Sequence, residues 1–375
     1  MVTYAEAGVN IELGDLASKI FYEAAKETWK NRKEKFGEVI ELFDDFSGLR
    51  GIDVGGLPKG TVTNLGFDGV ATKVEVAERV GRHDTVAYDL FAMVCDDAVI
   101  RGAEPVLIGS IFDVNTLGNE KKNYIPYIRE LVKGYIKAAE EANVCVVNGE
   151  VAELGARISG YGSFNYNWGA GVAWFAKKER LIGGKKIKPG DKVVALYEEG
   201  FRSNGFSLVR KIMKNNFSEN WTDKCFDGKS VGERALTPSR IYTRAIVDMT
   251  GGFDGEEKVK INGMAHITGG GIPGKLGRLL KPSGFGADLE NLFSPSEFVK
   301  FVQQQGKVPD KEAYKTWNMG NGMLIVTREP KKVIEIAKLY GIESREVGVI
   351  TENSIIKIIS KGFYSEKNQS LNFDL

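Results

Sequence analysis

The residues best suited to chemistry lie between positions 65 and 105, which read LGFDGVATKVEVAERVGRHDTVAYDLFAMVCDDAVIRGAEP. The stretch holds five acids, Asp68, Asp84, Asp89, Asp96 and Asp97, a short Gly69, Thr72, Lys73 run, and His83, one of two histidines in the chain. An apolar lead-in over residues 62–67 reads as a strand, so Asp68 falls at its end and is followed by a glycine turn. Leu90, Met93, Val94 and Ala98 recur at helical spacing, which predicts a helix over residues 89–100. On that helix Asp89 and Asp96 share a face, with Asp97 roughly 80–100° further round. An acid at a strand end and acids on a nearby helix can converge on one hard cation such as Mg²⁺, which takes oxygen ligands and bridges to phosphates. Lys73 and the backbone amides around Gly69 are then candidates to hold the phosphates themselves. The competing reading of the same residues is a solvated helix whose acids face water or cap an end.

The elements that would position these groups need a chain of ample size, and 375 residues suffice for two domains with separate cores. Lys and Arg total 51 against 50 Asp and Glu, so no basic excess points to nucleic acid. No apolar run reaches the ~18 residues of a membrane span, and the N-terminus carries Glu6, Glu12 and Asp15 with no apolar signal core. A cytoplasmic location is expected. Cys95, Cys145 and Cys225 are far apart, which excludes a sequence-local zinc site and a disulfide framework; Cys95 and Cys145 sit in apolar runs and read as buried thiols.

In chain order, residues 1–11 read as an arm and residues 16–29 as an amphipathic helix. The glycine-containing stretch 39–58 reads as a surface loop. A strand is expected over 106–112 and a helix over 125–139. Residues 144–147 (VCVV) read as a buried strand with Asn148, Gly149 and Glu150 as the turn beyond it. A carboxylate past the carboxyl end of a strand is where open α/β layers place ligands, so Glu150 is the second acid of a candidate site. Residues 168–175 and 192–197 read as further strands, with a domain boundary between them near 175–183. Arg202, Ser203, Asn204 and Gly205 precede a helix over 206–213. A helix start with an Arg beside it suits a phosphate, although Ser203 or Asn204 acting as a simple N-cap accounts for the same residues.

Residues 264–277 read MAHITGGGIPGKLG. Gly269, Gly274 and Lys275 fit G-x-x-x-x-G-K, but Leu276 stands where the motif needs Ser or Thr, and the lead-in reads poorly as a buried strand, so a nucleotide P-loop is rejected. Gly269, Gly270 and Gly271 before a helix remain a candidate anion nest beside Thr268. His266 reads as a packed, hydrogen-bonded histidine. Residues 318–327 give another strand, 331–340 a helix, and 347–351 and 355–359 short strands; the polar tail from 360 is expected to be loose.

Eight segments in order resemble aminoimidazole ribonucleotide (AIR) synthetase, the phosphoribosylformylglycinamidine cyclo-ligase family. They are YAEAGVNI from Tyr4, FDGVATK from Phe67, RHDTVAYDLFAMVCDDAVIRGAEP from Arg82, NGEVAE from Asn148, RSNGFSLVRK from Arg202, LTPSRIY from Leu236, AHITGGG from Ala265 and TWNMGNGM from Thr316. The resemblance implies a two-domain α+β fold: an N-terminal mixed-sheet domain (1–175) that binds ATP and dimerises into a barrel-like sheet, a C-terminal α/β sandwich domain (176–350), then a terminal strand and loose tail (351–375). It implies ATP-dependent closure of the imidazole ring in purine synthesis, with ATP and Mg²⁺, a small ribonucleotide substrate and a homodimer. Carried over by motif, Asp68, Asp97 and Glu150 match the metal and nucleotide acids. Asp68, Lys73 and Asp97 match the catalytic set. Gly69, Thr72, Asp89, Asn148 and Gly149 join them on the nucleotide side, with His83 in support. Arg202, Ser203, Asn204, Gly205 and Thr268 to Gly271 match the substrate side.

The chain departs from the family pattern in several places. The usual DGVGTK carries Ala71 for its second Gly, Asp96 replaces an Asn, Val151 replaces a Thr, and the usual His of HSNG is Arg202. The Arg is a permanent cation, which favours clamping a phosphate and excludes a proton role there. Formylglycinamidine synthetase, thiamine-monophosphate kinase and hydrogenase-maturation proteins share the superfamily, as does selenophosphate synthetase, which needs a reactive Cys near the N-terminus that this chain lacks. A catalytically altered nucleotide-binding paralogue is the alternative of a different class.

Overall fold

The computed structural model describes residues 10–41, 49–119, 122–366 and 369–375. Residues 1–9 of the expected arm and 42–48 of the loop expected over 39–58 lie outside them, and Ile11, placed in the arm by the sequence, starts the first helix. The chain forms two compact units, one of Met1–Ala98 and Pro105–Phe175 and one of Val99–Glu104 and Ala176–Leu375. The six residues Val99–Glu104 thus belong with the second unit, although the sequence places them inside the first.

The first unit is built on a four-stranded sheet of β1 (Thr61–Gly69), β2 (Glu104–Val114), β3 (Cys145–Glu153) and β4 (Tyr166–Lys177), in the order β1-β4-β2-β3. Helices α1 (Ile11–Thr28) and α4 (Ile125–Ala142) pack against each other, and α1 lies on β3. Asn10 caps α1 by accepting from the Leu13 amide at 3.1 Å. The apolar stripe of α4, from Ile128 through Leu131 and Tyr135 to Ala139, is buried as its period requires. Strand β2 alternates: Val106, Ile108, Phe112 and Val114 are buried, while Ile111 is 56% exposed. Tyr135 and Trp168 meet at 5.3 Å, and Phe21 and Phe112 at 5.5 Å, closing the helix-covered side. The other face is left open, with Leu65 59% and Phe67 76% exposed.

Helices α2 (Val74–Val80) and α3 (Val86–Val99) follow β1. The sequence reading of 144–147 as a strand ending before Asn148 is corrected: β3 runs on through Asn148, Gly149 and Glu150, paired in parallel with β2 so that Ile111 lies opposite Glu150. An edge strand tolerates Asn-Gly because one side of its ladder needs no partner.

The second unit carries a seven-stranded mixed sheet, ordered β6-β8-β5-β9-β7-β10-β11, from β5 (Lys192–Tyr197), β6 (Ile261–His266), β7 (Gly286–Leu289), β8 (Asn321–Thr327), β9 (Ser344–Thr351), β10 (Ile355–Ile359) and β11 (Ser370–Asp374). All seven residues of β8 are buried. A core of Val194, Leu196, Ile246, Met249, Met264, Ile325 and Ala337 joins the sheet to the helices Thr243–Thr250 and Pro330–Leu339. Two expectations fail here. The tail is not loose at its end, because β11 pairs antiparallel with β10 and buries Leu371 and Phe373. The segment before the triple glycine is a genuine strand, β6, buried at five of its six positions.

Candidate functional site

In the first unit the strands place the expected metal acids Asp68 and Glu150 on the two opposite edges of the sheet, β1 and β3. Asp68 comes off the end of β1, and Glu150 projects from the open face of β3, because residues opposite each other in a parallel pair share a face and its partner Ile111 lies there. Asp68, Gly69, Asn148, Gly149 and Glu150 line one cavity of about 870 Å³ that also holds Leu65, Phe67 and Ile111. Asn148, Gly149 and Glu150 border a second cavity of about 670 Å³, also lined by Tyr22 of α1, by Trp29 just beyond that helix and by Arg50. The Arg50 guanidinium lies 4.6 Å from the Tyr22 ring centre.

Asp97 sits on the exposed side of α3 and lines neither cavity. Among the described residues, no three His, Cys, Asp or Glu side chains gather closely enough to cage a metal. Either carboxylate alone fits Mg²⁺, which can take a single protein carboxylate and complete its shell with water and substrate phosphates.

Lys73 lines neither cavity. It is fully buried at the end of a one-turn 3₁₀ helix, Ala71–Lys73, and donates to Asp89 Oδ1 at 2.8 Å inside the unit. The phosphate-holding role expected of Lys73 is therefore corrected to that of an internal counter-ion for Asp89 on α3. Spacing along the chain does not encode which way a long side chain turns. The amide of Gly69 donates to Asp68 Oδ1 at 2.7 Å and that of Val70 to the Trp168 carbonyl at 3.0 Å, so neither forms the expected anion nest. Thr72 is half-buried on the same turn. Ala71, standing where the family pattern has Gly, adopts φ +56°.

His83 is buried against Tyr127, Phe164 and Tyr166, its Nδ1 3.1 Å from the Tyr166 hydroxyl. Burial lowers its pKa to about 4 against a smaller opposing pull from Asp84, so it is neutral and packed rather than a base.

In the second unit, Arg202 is likewise turned inward. It is fully buried at φ +59°. Its Nη1 donates to Glu198 at 2.7 Å and to the Arg240 carbonyl at 2.9 Å, Nη2 lies 2.8 Å from His266 Nε2, and the guanidinium is 5.2 Å from the Tyr242 ring centre. The side chain expected to clamp a phosphate is instead fully buried and turned to Glu198 and His266. Glu198 escaped the sequence reading, although its place four residues before Arg202 is a legible signal. Helix α5 (Phe206–Phe217) starts from Gly205, not from Ser203 or Asn204, and has no side-chain cap. Gly205 sits at φ +76°, and a side chain there would strike the Trp317 indole. Ser203 Oγ is buried and finds no hydrogen-bond partner among the described residues.

The Asn204 side chain lies against Gly269, the next loop. There Thr268 is buried while Gly269 and Gly270 are exposed, and the helix Gly271–Leu280 starts from Gly270 at φ +93°. Gly271 is irreplaceable, because a side chain would collide with the Tyr314 carbonyl. The 200–205 and 268–271 loops thus meet within one unit.

Two family models match the chain in order: the N-terminal domain of AIR synthase related proteins over residues 53–166 and the C-terminal domain over residues 188–361. The chain belongs to the AIR synthase related family. Among its relatives, the phosphoribosylformylglycinamidine cyclo-ligase of Pyrococcus furiosus is 33% identical over 96% of this chain and all of its own length. That of Methanocaldococcus jannaschii is 34% identical over 98% of this chain and 99% of its own. Solved family folds superpose across most of the chain. The hydrogenase maturation protein HypE of E. coli gives a TM-score of 0.59 at 14% identity, covering 96% of each chain. Thermotoga maritima PurL complexed with ATP gives 0.53 at 13% identity, over 97% of this chain and 51% of its own. At those identities the superpositions speak for the fold alone.

Proposed function

We propose that the chain is a phosphoribosylformylglycinamidine cyclo-ligase, which closes formylglycinamidine ribonucleotide to 5-aminoimidazole ribonucleotide with conversion of ATP to ADP and phosphate. The observation that carries this is end-to-end identity of 33–34% with relatives of that name, across both domains. In the reaction the γ-phosphoryl group passes to the formyl-amide oxygen and turns it into a leaving group. An amidine nitrogen then attacks that carbon, the ring closes, and phosphate departs with the oxygen. The protein's part is positioning and charge neutralisation.

Asp68, Asn148 and Glu150 are assigned to the nucleotide and its metal, and Asp97 with them, on the family signature. Mg²⁺ held there would offset the charge of the triphosphate. Lys73 and Asp89 act from beneath, as the ion pair that fixes the Ala71–Lys73 turn against α3. Ser203, Asn204, Gly205 and Thr268 to Gly271 are assigned to the ribonucleotide, with Arg202 behind them.

A second copy of the chain is assigned to the open face of the four-stranded sheet. Leu65, Phe67 and Ile111 are exposed there around a cavity with an apolar lining, and a monomer that left such a patch in water would be prone to associate. Among the described residues no helix is long and apolar enough to cross a membrane; a cytoplasmic location is proposed on the family alone. The test is stoichiometry: purified protein given ATP and formylglycinamidine ribonucleotide should form one aminoimidazole product per ADP. ADP formation without the aminoimidazole would refute the reading.

A further inference from the structure

The Arg202–His266 contact fixes more than a side-chain position. A guanidinium carries only donors and keeps its proton at any ordinary pH. At 2.8 Å from Arg202 Nη2, His266 Nε2 must therefore be the acceptor, with its lone pair free and its proton on Nδ1. Protonating that ring would turn the hydrogen bond into two cations face to face, both buried: His266 is 1% exposed and Arg202 fully enclosed. The other groups around the guanidinium hold it in place. Glu198 Oε2 accepts from Arg202 Nη1 at 2.7 Å, from the Arg240 amide at 3.2 Å and from the Tyr242 hydroxyl at 3.4 Å. The Tyr242 hydroxyl also donates to the Tyr197 carbonyl at 2.8 Å.

We infer that Glu198, Arg202 and His266 form a locked positioning relay that sets the two ribonucleotide loops against each other, with His266 held neutral as the Nδ1–H tautomer and taking no part in proton transfer. The chain geometry gives the relay its effect. Arg202 immediately precedes Ser203, Asn204 and Gly205, and His266 ends β6 two residues before Thr268. One hydrogen bond therefore ties the base of one loop to the base of the other, and Asn204 packs on Gly269 just beyond it. Arg202 itself is held at φ +59°, a left-handed conformation that a bulky residue keeps only where the surroundings fix it. The inference rests on the assignment of these loops to the ribonucleotide, but its first test does not.

The chain has two histidines, so imidazole nitrogen NMR of the whole, unaltered protein resolves His266 with one assignment variant, His83→Gln. The relay requires His266 to show the Nδ1–H tautomer and no titration from pH 5.5 to 8.5. An Nε2–H ring, or a titration near pH 6.5, would overturn it. The second test is kinetic. Arg202→Lys keeps a cation beside Glu198, so the fold survives, but it loses the forked geometry. It should raise KM for formylglycinamidine ribonucleotide about tenfold while KM for ATP changes less than about twofold. Equal rises in both, or no rise in either, would sink the positioning role. Absence of turnover in the unaltered protein would count against the cyclo-ligase reading alone, since the NMR result stands without turnover.

Discussion

Lys73 donates to Asp89 over 2.8 Å, and neither side chain touches solvent. A residue that family resemblance assigns to phosphates is here the counter-ion of a buried aspartate. Breaking such a pair from one side leaves an uncompensated buried charge and costs about 3–5 kcal/mol. Lys73→Ala should therefore lower the unfolding free energy by that amount in a denaturant titration, with the slope of the transition unchanged. A variant of undiminished stability that has lost only its affinity for ATP would return Lys73 to the nucleotide.

The neighbouring Ala71 occupies left-handed backbone, φ +56°, at a position where related sequences place Gly. The strain costs a non-glycine residue roughly 1–2 kcal/mol, and glycine's extra freedom in the unfolded chain returns part of that. Ala71→Gly should stabilise the protein by about 0.5–1 kcal/mol. Thermal unfolding measures this, and a lower Tm in the variant would contradict the assigned backbone conformation.

Packing between Tyr127, Phe164 and Tyr166 makes His83 a source of acid sensitivity. Its folded pKa lies near 4, against 6.5 for the free side chain. Below pH 6.5 the unfolded chain takes up a proton that the folded ring refuses, so stability is complete above that pH and declines as pH falls towards 4. The gap corresponds to about 3 kcal/mol at full extent. His83→Gln, which does not titrate, should lose distinctly less stability than the parent between pH 6.5 and 4. Parallel pH curves for the two would place His83 in a wetter setting than the one seen.

The open sheet face predicts an oligomer. Ile111, 56% exposed in mid-strand, packs on nothing in its own unit that would exclude a charge. Ile111→Arg should leave the monomer folded, since the face is already in contact with water, and weaken association by tenfold or more, about 1.4 kcal/mol or above. Sedimentation equilibrium decides it: an unaltered protein that is monomeric at micromolar concentration would remove the assigned partner from this face.

The parts of this molecule that follow a period were legible in its sequence. The α4 stripe from Ile128 to Ala139, the alternation of β2, and the apolar run of β8 all lie where spacing predicts, because burial on one face imposes the pattern directly. Edge elements were not legible. Asn148 and Gly149 look like a turn unless one knows that β3 lies at the sheet's edge, and β11 is only five residues long within a polar tail. Side-chain direction was the largest gap. Lys73 and Arg202 were read as outward cations, and both turn inward to carboxylates, one 16 residues away and one four. Nothing in spacing alone separates a cation that meets a ligand from one that neutralises a buried acid. Asp68 and Glu150 line one wide cavity from opposite edges of the sheet, and spacing along the chain does not say how far apart they stand.

The most direct test of the account compares ADP release from one preparation with three substrates, each with ATP and Mg²⁺: formylglycinamidine ribonucleotide, formylglycinamide ribonucleotide with glutamine, and thiamine monophosphate. The account predicts turnover with the first and none above background with the other two. Equal or greater ADP release with either of the others would contradict it.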